Sequence, residues 1–265
     1  MTVPRLPSEI VDYIIDMLVG DKASLLSCST VSITWVNRCR HHLFAEIELR
    51  SPTHIRLWFR AGLGPSCHYV RSLCLTQDNF TWIGPETPEV IQNGLAAFQN
   101  VESLSLSSLN LTPFDEHSLI RFFGHFSERL TSLSVEGFTV DPDPLLFFIC
   151  MFPKMDNLTL DYLRMGGDIK PFRRPTVTPR FRGKLSLLNI KSSGTALVAS
   201  LSDLPMAFKD VCVENCRFEK PKPLKDLFSV CGEAMKKIKV CRIFFGEIDL
   251  HGTPSYEASY ISDPP

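Results

Sequence analysis

The feature that most constrains the fold is a pattern recurring between residues 70 and 245: an apolar residue, two others, an apolar residue, one other, an apolar residue. It reads Val70-Leu73-Leu75, Val101-Leu104-Leu106, Leu130-Leu133-Val135, Met155-Leu158-Leu160, Leu185-Leu188-Ile190, Phe208-Val211-Val213 and Met235-Ile238-Val240. Such alternation suits a short strand buried on one face. Counted from the middle residue, the steps are 31, 29, 25, 30, 23 and 27 residues, room enough for a strand and a return segment each time. Five instances continue with a further alternating pair: Leu109-Leu111, Phe138-Val140, Leu163-Met165, Cys216-Phe218 and Ile243-Phe245. A lone strand cannot bury its apolar face, so the repeat predicts parallel stacked strands with return segments packed behind them. Three of those segments are predicted helices. Residues 114–130 carry Leu119, Phe122, Phe123 and Phe126, residues 144–152 are almost wholly apolar, and residues 223–238 carry Leu224, Leu227, Phe228, Cys231 and Met235.

The first 44 residues follow a helical period instead. Pro7 fixes its own φ and Ser8 can accept from an unpaired N–H, so a helix is predicted to start near Glu9. Ile10, Ile14, Met17 and Leu18 then form one apolar stripe. Gly20-Asp21 ends it, and Asp21 is placed to cap a second helix carrying Leu25 and Leu26. A third segment spaces Val31, Trp35, Cys39 and Leu43 four apart. Three helices in about forty residues bury too little apolar surface to be comfortable alone, so something else must cover them.

The ordered set Leu6-Pro7-x-Glu9-Ile10, Ile14, Leu18, Leu25-Leu26, Val31-Ser32-x-x-Trp35 and Leu43-Phe44 resembles an F-box, the module that docks on the Skp-family adaptor of cullin-RING ubiquitin ligases. The following Ala45-Glu46-Ile47-Glu48-Leu49-Arg50-Ser51-Pro52 is similar to the continuation common in F-box proteins of mushroom-forming fungi. The resemblance covers roughly the first fifth of the chain. It implies that Leu6, Pro7, Ile10, Leu25 and Val31 touch the adaptor, while Leu18, Trp35 and Leu43 serve mainly as core.

The repeats resemble divergent leucine-rich repeats. The Asn usual after the strand is replaced by Leu109, Phe138, Leu163, Ser193, Cys216 and Ile243, so the turns are expected to be held by packing. The expected fold class is therefore α/β. A three-helix F-box spans 1–44, and a connecting segment spans 45–69, with a capping strand at Ile47-Leu49 and a helix near 54–62. An irregular leucine-rich-repeat solenoid of parallel strands occupies 70–245, and a flexible tail 246–265. An ordinary α/β domain with a parallel sheet is the alternative.

Motifs for chemistry are thin. Asp115-Glu116-His117 opens a predicted helix, where acids favour the N-terminus, so capping outweighs metal binding. His41-His42 falls at a helix end and needs no ligand. Cys212 and Cys216 straddle a strand on what alternation makes one face, without a partner pair to complete a zinc set. Neither a phosphate-binding glycine loop nor a nucleophile elbow occurs. Nine cysteines, mostly within apolar segments, and no apolar leader predict a reduced intracellular protein, cytoplasmic and/or nuclear. The longest apolar run, near 145–152, is far short of the roughly 20 residues a membrane span needs. No catalytic residue, cofactor, metal or membrane contact is expected.

The net charge of −1 conceals a polarity. Residues 76–164 hold 4 Lys or Arg against 12 Asp or Glu, a balance of −8, and residues 165–245 hold 16 against 7, a balance of +9. Lys170, Arg173, Arg174, Arg180, Arg182 and Lys184, interrupted by Pro171, Pro175 and Pro179, read as an extended loop. Two readings stay open for it: a solvated insertion, or a docking surface for an acidic or phosphorylated protein. Nucleic acid is disfavoured, because the acidic half repels phosphates. Alternation places Ser105, Ser134, Thr159, Asn189, Cys212 and Lys239 on the face open to a target. The function these features predict is non-enzymatic. The F-box resemblance implies that the chain would be a substrate receptor bridging the Skp-family adaptor, and through it a cullin-RING ligase, to an unknown target protein. The alternative is an interaction scaffold with the same repeats and no ligase role.

Overall fold

The computed structural model describes residues 6–77, 87–108, 114–137, 139–140, 142–165, 181–190, 194–245 and 257–262. Three helices come first: α1 (Ser8–Asp16), α2 (Lys22–Val31) and α3 (Ile33–Leu43). Strand β1 (Glu46–Leu49) and helix α4 (Pro52–Arg60) follow, and a 3-10 turn (Gly64–Tyr69) leads into β2 (Ser72–Thr76). Next come α5 (Glu89–Ala96), β3 (Ser103–Ser107), α6 (Glu116–Phe123), β4 (Ser132–Glu136), β5 (Thr139–Val140), α7 (Pro142–Cys150), β6 (Asn157–Asp161) and β7 (Arg164–Met165). The chain closes with β8 (Lys184–Leu188), α8 (Gly194–Ser202), β9 (Asp210–Glu214), β10 (Arg217–Phe218), α9 (Lys222–Cys231), β11 (Lys237–Phe245) and β12 (Glu257–Ser262). None of the described helices is long and apolar enough to cross a membrane.

Nine strands form one parallel sheet in the order β1-β2-β3-β4-β6-β8-β9-β11-β10, and β5 pairs with β7 beside it. The seven repeat instances supply seven of these strands, aligned without a slip: Leu73, Leu104, Leu133, Leu158, Leu185, Val211 and Ile238 lie opposite one another. This register corrects the fifth instance. Its middle residue is Leu185 rather than Leu188, so the steps are 31, 29, 25, 27, 26 and 27, more even than the sequence pattern suggests. The stretch Leu185-Ser186-Leu187-Leu188-Asn189-Ile190 satisfies the pattern only three residues late, because the first apolar slot is taken by Arg182. Phe181 fills the gap instead. It is fully buried, bridges to Met206 and stacks on Phe208 with ring centroids 5.3 Å apart.

Behind the sheet the helices contribute a phenylalanine-rich layer. Phe114, Phe122, Phe123, Phe148 and Phe152 touch in succession, centroids 5.0 to 6.2 Å apart, joining α6 to α7. Edge-to-face contacts of this kind add to the area they bury. All three predicted return helices form, as α6, α7 and α9. Helices α5 and α8 were not anticipated: their segments offer small residues such as Gly94, Gly194 and Ala196, which blur the helical period.

The turns after the strands are not held by packing alone. Ser108, Gly137, Tyr162, Asn189 and Asn215 each follow a strand, and Arg242 sits at an irregularity inside β11, all with φ between 50° and 77°, the left-handed region. The N–H of each of the first five donates to a carbonyl of the next strand, the closing one in four cases: Ser108 to Glu136 (2.8 Å), Gly137 to Asp161 (3.0 Å), Tyr162 to Leu188 (3.2 Å) and Asn189 to Glu214 (2.9 Å), with Asn215 to Cys241 (2.9 Å) inside β11. One left-handed residue reverses the alternation, so the residue after it points inward again, as buried Leu163, Ile190, Cys216 and Ile243 do. In this register the slot assigned to Ser193 belongs to Ile190. Asn occurs one place earlier than expected, at Asn189 and Asn215, where Asn215 Nδ2 donates to Asn189 Oδ1 (2.6 Å) and Asn189 Nδ2 to Asp161 Oδ1 (2.8 Å). Within the expected tail, residues 257–262 are not frayed: β12 pairs antiparallel with β11 and covers the edge it would leave open.

Candidate partner-docking site

The N-terminal helices are held together by little. Helix α1 begins behind Pro7 with no side-chain cap, and Ser8 donates to the Glu9 carboxylate (3.3 Å) instead of capping. Asp21 caps α2, accepting from the Ser24 N–H (3.1 Å) and hydroxyl (2.6 Å), and Ser32 caps α3, accepting from the Thr34 N–H (3.3 Å). Among the described residues of this unit only Ile15, Leu25 and Cys39 are fully enclosed, with Val11, Leu18, Cys28, Trp35 and Leu43 packed around them. The Asp16 carboxylate ties α1 to α3 through the Arg38 guanidinium and His42 Nε2 (2.7 Å). Arg38 first and His42 second hold that carboxyl down to about 2. Both Asp16 and Arg38 remain more than a third exposed, so solvent screening limits the tether to a surface-pair contribution.

Among the described residues fifteen large apolar side chains are exposed, and nine lie within residues 6–33: Leu6, Ile10, Tyr13, Ile14, Met17, Val19, Leu26, Val31 and Ile33. Helix α1 is apolar on two faces. Val11, Ile15 and Leu18 turn inward at i, i+4 and i+7, while Ile10, Ile14 and Met17 repeat that spacing one residue earlier and face solvent. Of the stripe read from sequence, only Leu18 joins the core. Isolated exposed apolar residues need no explanation, but a concentration of this kind marks an interaction surface.

Four of the five residues expected to touch an adaptor, Leu6, Pro7, Ile10 and Val31, are exposed. Leu25 is not: at 1% exposure it is core, and its neighbour Leu26, 57% exposed, faces out in its place. Tyr13, Met17, Val19 and Ile33, the last 87% exposed, were not singled out from sequence. The signal that could have found them is the second apolar arc of α1, and an Ile placed directly after the Ser32 cap.

On the open face of the sheet, one row runs Cys74, Ser105, Ser134, Thr159, Ser186, Cys212, Lys239. Ser105, Ser134 and Thr159 are therefore brought together as expected. Asn189 is not in this row; the three-residue slip put it there, and Ser186 is the true occupant. Arg182 is exposed, and Arg173, Arg174 and Arg180 lie outside the described residues. Asp115 caps α6, accepting from the Ser118 N–H (2.8 Å), and the Ser118 side chain first and this N–H second lower its pKa. Cys212 and Cys216 do not share a face, because the left-handed turn at Asn215 sends Cys216 into the core, its thiol 3.3 Å from the Leu187 carbonyl. Burial pushes the Cys150 and Cys216 thiols up to about 12. No group of three or more His, Cys, Asp or Glu among the described residues could hold a metal ion. Set against known proteins, the chain matches no family model and no curated protein.

Proposed function

We propose that the chain is a substrate receptor of a cullin-RING ubiquitin ligase: an N-terminal F-box docks on the Skp-family adaptor, and a leucine-rich-repeat solenoid holds a target protein. The observation that carries this reading is the concentration of nine exposed apolar side chains on a unit that encloses only three. Burial is worth roughly 25 cal/mol per Å² of apolar surface, so such a face favours a partner over water. The receptor itself catalyses nothing. It supplies proximity and orientation, while ubiquitin transfer belongs to the cullin-RING assembly.

A pull-down with recombinant Skp-family adaptor tests the reading. The wild type is captured; a Leu6→Asp, Ile10→Asp double variant is not; a Val90→Asp, Ile120→Asp control, altering exposed apolar residues of α5 and α6, is captured like the wild type. Equal capture of wild type and Leu6→Asp, Ile10→Asp, or capture of neither, defeats it.

The non-ligase scaffold has one observation in its favour. Phe44 meets Trp58 of α4 (5.3 Å) and His41 meets Tyr69 of the 3-10 turn (6.3 Å), so the end of α3 packs on the segment that leads into the sheet. If capping is its whole role, deleting residues 1–44 collapses the fold and the intact chain captures no adaptor.

A further inference from the structure

The sheet ends differently at β11 than at any other described strand. β11 is the longest of them, and one of its sides is fully used, by β9 along residues 237–241 and by β10 at residues 244–245. A further repeat would add a parallel strand to the other side. Instead β12 lies there antiparallel, Ile238 opposite Ser262, Lys239 opposite Ile261, Val240 opposite Tyr260, Ile243 opposite Ala258 and Phe244 opposite Glu257. All other pairings among the described strands are parallel. At the opposite edge β1 is four residues long and carries exposed Glu46 and Glu48, which discourage a further strand. A bare β11 would instead offer an edge of nine residues, with Ile238, Val240, Ile243 and Phe245 apolar along it.

No tight turn joins β12 to β11. Residues 246–256 lie between them, eleven residues where a tight hairpin uses about two to five. Such a tether reaches about 36 Å when extended, several times the roughly 5 Å between paired strands. Charge favours the pairing as well. Residues 246–265 hold Glu247, Asp249, Glu257 and Asp263 and no Lys or Arg, a balance of −4, while β11 and the residue before it carry Lys236, Lys237, Lys239 and Arg242 and no acid.

We propose that the outer side of β11 is a strand-docking site, with β12 as its resident occupant and β12 of a second copy as the occupant it exchanges for. The backbone pairing is the same whichever copy supplies the strand, so the tether alone decides between them. A tether of this length gives the resident strand an effective concentration of about a millimolar, so a dilute chain stays closed on itself. Where copies are concentrated, or refold together, reciprocal exchange closes a two-fold dimer without any new contact. The inference uses nothing of α1–α3 and stands apart from the ligase reading.

Two measurements on the full chain test it, with a labelled peptide of residues 255–264 as the probe. An Ala258→Pro, Ile261→Pro variant frees the site: proline has no N–H, and positions of opposite parity ensure that at least one lost donor faces β11. In fluorescence anisotropy the peptide binds this variant, and binds the wild type, whose site is filled, at least roughly tenfold more weakly. Absent binding to the variant, or equal binding to both, overturns the site. Light scattering after refolding from urea at rising protein concentration tests the exchange. The wild type yields a dimer whose share grows with concentration, the proline variant yields none, and Ile10→Asp, Val31→Asp, which alters the apolar face of the N-terminal unit, keeps it. Excess peptide suppresses the wild-type dimer, which probes the same site without any substitution. No dimer from the wild type, a dimer that survives the prolines or the peptide, or one lost with Ile10→Asp, Val31→Asp overturns the exchange.

Discussion

His125 shows how one buried group ties the fold to pH. It sits in a 3-10 turn (Gly124–Phe126) against Phe126, and its Nε2 is buried with no hydrogen-bond partner. Burial is the main cause that lowers its pKa to about 4, opposed by a hydrogen bond with the Leu95 backbone. The unfolded chain therefore takes up this proton more readily than the folded one. The stability that depends on neutral His125 is fully present above the ordinary histidine value near 6.5 and is lost as pH falls toward 4. Urea unfolding should lose about 2 kcal/mol between pH 7 and pH 5, and a His125→Gln variant should flatten that loss; an unchanged slope refutes the assignment. The cysteines make a second residue-scale prediction. Cys150 and Cys216 should resist iodoacetamide at pH 8 until the chain unfolds, while half-buried Cys74 and Cys241 react in the native state. Mass spectrometry of native and denatured digests checks it.

At the scale of the element, the strand start is where packing is tightest. A Cβ on Gly183 would lie 2.3 Å from the Asp156 carbonyl oxygen, so β6 and β8 meet there only because glycine stands at that point. Gly183→Ala should destabilise by roughly 1–3 kcal/mol in denaturant melts, against a change near zero for Gly62→Asn, whose left-handed φ of 71° Asn tolerates. Leu158→Ala, in the middle of the buried ladder, should cost about 2–5 kcal/mol. The strands were legible in the sequence because period-two alternation survives in every instance. The fifth was misplaced because Leu188 is apolar at an outward position and Arg182 is polar in an inward slot. The left-handed turns at Ser108 and Tyr162 were hidden, since neither residue announces a positive φ, and only their hydrogen-bond register reveals them. In the N-terminal unit, helix number and the Asp21 cap could be read, whereas the cap expected at Ser8 does not form and the Ser32 cap was not singled out. Which of two apolar arcs on α1 turns inward depends on α2 and α3, information no single helix carries.

For the whole molecule, the two proposed docking features lie in different parts of the chain: an apolar face within residues 6–33 and the outer side of β11. The sheet between them is fixed by an uninterrupted parallel ladder, which suits a rigid spacer holding one partner relative to another. The claim on which this rests is that the outward face of α1–α3 is completed by another protein. Isothermal titration of a Skp-family adaptor into the full chain at several temperatures measures it directly. Binding with a negative heat-capacity change is predicted, as expected when apolar surface is buried, and an Ile10→Asp, Val31→Asp variant should bind at least roughly tenfold more weakly. No heat of binding from the wild type, or equal affinity in the variant, would contradict the account.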